Sequence, residues 1–322
     1  MLFPLAAAPR IPFVSETNGY RHLLAMLVMQ LRTSTGFYEF WKYEERPIAC
    51  RIQWNRKLSR KCPSLLPMPS HTFTHCPVRS DIKLATLAQS APILPFDLQF
   101  EMPYLPIPNA NGLLPSLGRT LIQNWDQISD QVHSIQILHD MIMMTRYTEA
   151  VFKGLFPQTK DDAYYDYFNF QNLTIEYRLL SFKEKEGSSR NTAEKTPVTD
   201  CCYLACLLFV NTVLCCGYLR SSAIIRHLVQ ALKLSLEGST NLDEHVESPW
   251  LRHDDTMFWV LYIGTFCSHG EAEGDFFAER LRAKSLEMGI SSVEKAEILL
   301  QNFLYVERIH RHRLRETLTR VG

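Results

Sequence analysis

The chain has 322 residues, 46% hydrophobic and 21% charged, with Lys+Arg and Asp+Glu equal at 34 each. This is the ordinary composition of a soluble protein, long enough to bury a substantial core as one large domain or two smaller ones. The balanced charge gives the chain as a whole no field that would attract nucleic acid or an anionic membrane, so any DNA contact requires a local patch.

Met1 to Arg10 is rich in small residues but has no basic stretch ahead of its short apolar run, so it does not read as a secretory signal. Residues 1–16 look irregular. Tyr20, Leu23, Leu24, Leu27, Val28 and Leu31 then repeat at three- and four-residue spacing, which predicts a helix from Asn18 to Arg32. Phe37 to Tyr43 suggests a short second helix. From Pro47 to Pro108 the prolines at 63, 67, 69, 77, 92, 95, 103, 106 and 108 argue against long regular elements, apart from a turn or two near Asp81 to Gln89. Residues 1–110 therefore read as an irregular, Pro-rich segment that packs on or leads into a core formed by residues 111–322.

Regular periodicity begins near Leu113. Arg119 to Leu155 predicts one or two helices, and Asp162 to Phe182 predicts another. Glu184 to Thr196 reads as a charged, exposed loop. Pro197-Val-Thr-Asp200 then opens the longest apolar run of the chain, with Thr199 or Asp200 in the capping role. Ser221 or Ser222 caps a further helix ending at Glu237-Gly238. Helices over His253 to His269, Asp275 to Met288 and Ser292 to about Arg320 complete the series. Strand-like alternation is scarce, so the fold class is all-α: a multi-helix bundle around a buried central helix near 200–219.

That central stretch could be read in two ways. Cys201 to Leu219 is just long enough to cross a bilayer core of roughly 30 Å. Asn211, Thr212 and Gly217 interrupt it, however, Asp200 and Arg220 bracket it, and an amphipathic segment follows, all of which favours the interior of a bundle. The nine cysteines include the adjacent pairs Cys201-Cys202 and Cys215-Cys216. They read as buried, reduced thiols in a reducing compartment. Asn172-Leu-Thr174 matches a glycosylation sequon, which without a secretory signal reads as chance.

No residue group meets the demands of catalysis. Cys62, His71, His75 and Cys76 could in principle hold zinc, but the chain has no C-x2-C pair and adjacent His75-Cys76 makes an awkward chelate. Arg51, Arg56, Lys57, Arg60 and Lys61 surround Trp54; residues 51–61 read as a solvated loop before they read as a nuclear-import or nucleic-acid patch. His253, Asp254 and Asp255, and likewise His269, Glu271, Glu273 and Asp275, suit helix starts. Cys202 and Cys206 share a helix face, but apolar surroundings should raise their pKa and leave them inert. His310 to Arg315 reads as a basic helix end that complements the dipole. There is no nucleophile elbow, phosphate-binding loop, dinucleotide fingerprint or zinc-protease motif. The expectation is a protein that is not an enzyme, with no catalytic, cofactor or metal residue assigned.

The order of landmarks carries a functional reading. Tyr203 to Leu214, Ile224 to Lys233, Met257 to Gly264, Phe276 to Leu281, Met288 to Glu294 and Ile298 to Tyr305 follow one another, preceded by Leu113-Leu-Pro-Ser-Leu117 and Asn172 to Leu180. Over roughly residues 110–310 this series resembles the fungal-specific transcription factor domain, the regulatory region of fungal binuclear zinc-cluster activators. The resemblance implies an all-helical regulator acting in the nucleus, in RNA polymerase II transcription, through protein partners, with a small effector between helices and homodimerisation as further implications. The family's six-cysteine zinc cluster has no counterpart here: Cys50, Cys62 and Cys76 are too few and too widely spaced. The alternatives are an all-α metalloprotein or enzyme using Cys62, His71, His75 and Cys76, or a membrane-associated protein spanning about 201–219. With zero net charge and no zinc cluster, the chain should form no sequence-selective complex with duplex DNA. Electrophoretic mobility shifts against a random-sequence pool at physiological salt check this, and enrichment of one sequence would contradict it.

Overall fold

The computed structural model describes residues 71–96, 116–128, 132–155, 163–189, 197–215, 222–240, 250 and 252–319, all within the unit Arg46–Gly322. The helices expected at Asn18 to Arg32 and Phe37 to Tyr43 lie outside these residues. Ten α-helices and no strand occur among the described residues, so the fold is all-α. In order they are α1 His71–Ala88, α2 Arg119–Ile128, α3 Val132–Phe152, α4 Ala163–Ser189 and α5 Pro197–Phe209, then α6 Ala223–Thr240, α7 Asp254–Cys267, α8 Gly274–Glu287, α9 Val293–Leu300 and α10 Glu307–Thr319. No helix among the described residues is long and apolar enough to cross a membrane.

Pro197 starts α5, a position where its missing N–H costs no intrahelical bond, and Asp200 lies in the first turn, beside the positive end of the dipole. Every residue from Cys201 to Asn211 is buried. A helix that is apolar all round must sit inside other protein, and α5 packs against α4, α6 and α7. After Phe209 the ladder widens into a π segment, Val210–Leu214, closed by Cys215 N–H donating to Val210 O at 2.7 Å. Asn211 and Thr212 donate their side-chain hydrogens to the carbonyls of Leu207 (2.9 Å) and Leu208 (2.6 Å), satisfying acceptors where the register changes.

Three differences from the periodicity have physical causes. Helix α1 runs through Pro77, where the Pro-rich reading allowed only a turn or two. Burial explains its persistence, since Asp81, Ile82, Lys83, Ala85 and Thr86 all enter the interior. Helix α4 continues through Gly187 to Ser189, over part of the expected loop 184–196; residues 190–196 lie outside the described residues. The last expected helix is two. Ser292 accepts from Lys295 N–H at 3.3 Å and caps α9, which stops at Leu300; Phe303 to Val306 are buried, and α10 begins at Glu307. Tertiary bonds hold that break open. The carbonyls of Asn302 and Phe303 accept from Thr120 N–H (3.0 Å) and Gly118 N–H (2.9 Å), and the Phe303 ring stacks on Trp259 with centroids 5.7 Å apart. Gly118 has φ +76°, a conformation that favours glycine, and a Cβ there would meet Ile142 Cδ1 at 2.1 Å.

The crossing of α7 and α8 depends on Gly264. A Cβ there would lie 2.2 Å from Phe277 Cδ1. Helix propensity alone predicts that Gly264→Ala stabilises by about 1 kcal/mol, whereas overpacking predicts a loss of ~1–3 kcal/mol. We expect the loss, measured by urea denaturation, with partial recovery when Phe277→Leu is added. A Gly264→Ala variant more stable than the parent would contradict this packing.

Candidate functional site

Two polar arrangements stand out, one buried and one open. In the first, Glu176 of α4 has no exposed surface, and Thr86, Asn211 and the almost fully buried Lys83 surround it. Lys83 Nζ donates to Glu176 Oε2 and, at 2.9 Å, to Asn211 Oδ1. Glu176 Oε1 accepts from Thr86 Oγ1 at 2.8 Å and from Asn211 Nδ2 at 3.1 Å. Next along α4, Asn172 Nδ2 donates to Leu214 O at 3.0 Å. These groups join α1, α4 and the π segment. Burial first, and the Glu176 charge second, push the Tyr203 phenol well above its ordinary range. The cluster has no exposed member through which a substrate could enter, so its chemistry is structural.

The second arrangement is an open cleft of about 420 Å³ where the end of α3 meets α10. Phe152 and Lys153 line one side; Arg308, Arg311, His312 and Arg315 line the other. The α10 residues fall at i, i+3, i+4 and i+7, one helical face. The acids in the cleft are already engaged. Glu149 is buried, which raises its pKa, and its Oε1 accepts from Glu307 N–H at the first turn of α10. Glu307 Oε1 accepts from Arg311 Nη1 at 2.5 Å. The Arg308 guanidinium sits 5.3 Å from the Phe152 ring centroid.

Helix α10 is fixed by His310, which has no exposed surface. Its ring stacks on Tyr305 (5.2 Å) and Phe209 (5.9 Å) and meets Phe266 edge-on at 4.8 Å. Its Nδ1 accepts from Val306 N–H at 2.8 Å. The basic run His310 to Arg315 is thus divided, with His310 inside and Arg308, Arg311, His312 and Arg315 outside. It belongs to the first half and middle of α10, not to a C-terminal end where it would complement the dipole.

Of the other sequence candidates, Cys62 and the basic segment 51–61 lie outside the described residues. His71, His75 and Cys76 occupy the first turns of α1, where only the backbone is described. Among the described residues no group of three or more His, Cys, Asp or Glu could hold a metal ion. His253 occupies the N-cap position of α7, and Asp254 accepts from Lys284 Nζ of α8 at 2.5 Å, so this group joins two helices. Glu273 precedes α8 without a side-chain cap bond and accepts instead from Gln230 Nε2 at 3.3 Å. Burial raises the Cys201 thiol to about 12 and moves Cys202 and Cys206 well above the usual range, which suppresses the reactive thiolate.

Sequence reasoning missed Lys83 and Glu176, which are far apart in the chain. The one legible signal was Asn211, a lone amide in an apolar run. Compared with models of protein families, with curated proteins and with solved structures, the chain matches none.

Removing one partner of a buried ion pair leaves an uncompensated charge. Lys83→Met should therefore cost ~3–5 kcal/mol in chemical denaturation, and adding Glu176→Gln should restore part of that loss. An additive double variant would show that the two groups do not interact.

Proposed function

We propose that this chain is a helical regulatory module of the fungal transcription factor type, built around the buried α5 helix and its π segment. In this reading it acts in the nucleus, in RNA polymerase II transcription, through partner proteins, and it performs no catalysis.

The observation that supports the reading most is where the ordered landmarks lie. Tyr203 to Leu214 forms α5 and the π segment; Ile224 to Lys233 lies in α6, Met257 to Gly264 in α7 and Phe276 to Leu281 in α8. Ile298 to Tyr305 runs from α9 into the buried break. Their apolar members, among them Leu207, Leu232, Trp259, Phe277 and Phe303, share one core. Most of the landmarks that carry the resemblance thus contribute residues to this core, while Met288 to Glu294 packs only at its edge and Ile298 is exposed. A regulator of this kind needs a stable interior and a surface that presents fixed groups to a partner, and α10 offers such a surface.

The test is a tethering experiment. The chain is fused to an unrelated DNA-binding module, and transcription is read from a reporter carrying that module's sites. The intact fusion should change transcription several-fold relative to the module alone. The Leu208→Asp fusion should not, after normalisation to protein amount, because Leu208 has no exposed surface and a buried unpaired charge costs several kcal/mol. A folded, nuclear, intact fusion that leaves the reporter at the level of the module alone would contradict the proposal.

A further inference from the structure

We infer that the cleft between α3 and α10 binds a small organic oxyanion, a carboxylate or phosphate monoester attached to a planar body. The inference deepens the regulatory reading by giving an effector a chemical class.

Charge is the first ground. Lys153, Arg308, Arg311 and Arg315 line the cleft against two carboxylates, Glu149 and Glu307. Glu149 is turned inward onto the α10 backbone, and Glu307 is paired with Arg311. The solvent-facing lining is therefore cationic, and Lys153, Arg308 and Arg315 are all exposed. A guanidinium presents its donors in a planar fork that matches the two oxygens of a carboxylate or phosphate.

Shape is the second ground. A volume of about 420 Å³ falls within the range of small-molecule sites, roughly 300–1,000 Å³. The Phe152 ring forms an apolar wall, and Arg308 lies over that ring, which restricts its guanidinium before any ligand arrives. A flat body can lie along the aromatic wall while its oxyanion meets Arg308 and Lys153. The helix carrying Arg308 is itself held by the buried His310 ring and by the Glu149 bond at its first turn. The cations therefore project from a fixed element.

The flanks argue for a small ligand over an extended polyanion. Glu297 accepts from Tyr305 and pairs with Arg311 at 3.4 Å, Glu316 pairs with Arg313, and Glu294 lies in the field of Arg311 and Arg315. A nucleic-acid backbone running along α10 would meet these carboxylates, whereas a ligand confined to the cleft would not.

The purified full chain is titrated calorimetrically with phenyl phosphate, inorganic phosphate and phenol. The expected result is saturable one-to-one binding of phenyl phosphate, several-fold weaker binding of inorganic phosphate and none of phenol. Lys153→Gln/Arg308→Gln should weaken phenyl phosphate binding by at least about tenfold, because two charge-assisted contacts are lost. The melting temperature without ligand should stay near that of the parent, since both side chains are exposed. Arg313→Gln, outside the cleft lining, should bind like the parent. Absence of binding at ten-millimolar phenyl phosphate (about the weakest affinity worth assigning to a site) would overturn the inference. So would equal affinity for inorganic phosphate, parent-like affinity in the double variant, or an equal loss in Arg313→Gln. Because binding is read on purified protein, it can fail while the reporter fusion works, and the reverse.

Discussion

The carboxylate of Glu176 is closed off from water among helices α1 and α4 and the π segment, and its neighbours are arranged to compensate it. Moving an isolated carboxylate into such surroundings costs several kcal/mol even after relaxation. Lys83 supplies the opposite charge, and Thr86 and Asn211 fill the lone pairs that a single ammonium leaves unsatisfied. The partners come from two distant stretches, Lys83 and Thr86 from α1 and Asn211 from the π segment, so the cluster sets the register of the elements that carry it. A one-residue slip of α1 would turn Lys83 about 100° away from Glu176. The widened turn at Val210–Leu214 fits the same constraint, because it lies where Asn211 must face both Lys83 and Glu176 while Leu207 keeps a donor.

Around that polar point the interior is apolar. Cys201, Cys202 and Cys206 fill small spaces in the stretch of α5 that is buried throughout, and their raised pKa values follow from the same burial. This interior reaches the surface through α10. Phe209, the last residue of α5, stacks on His310, whose Nδ1 accepts from the Val306 amide just before α10. The other face of the same helix presents Arg308, Arg311 and Arg315. The chain of contacts from the central helix to the cleft is thus short, and it holds cationic side chains on a rigid support.

Most of the helices were legible because their apolar residues recur at helical spacing, the amphipathic α6 being a clear case. The burial of 201–210 was legible from its unbroken hydrophobicity, and the membrane alternative was weakened by Asn211 and its bracketing charges. Three features depended on tertiary contacts that local patterns do not contain. Prolines at 63, 67, 69 and 77 obscured α1, whose stability comes from burying Ile82 and Ala85. The break after Leu300 exists because Gly118 and Thr120 bond its carbonyls. The cleft needs Phe152 and Lys153 beside residues more than a hundred positions later, and only the basic half of it could be seen in the chain. Lys83 and Glu176 each look like an ordinary surface charge until the fold brings them together.

Residue-resolved hydrogen exchange shows whether α5 and the π segment are locked at the centre by the buried cluster. Amides from Tyr203 to Val213 should exchange only through global opening, with a free energy equal to that from chemical denaturation. Exchange in this segment at a free energy several kcal/mol below the global value, or as fast as in the exposed turns of α10, would contradict it.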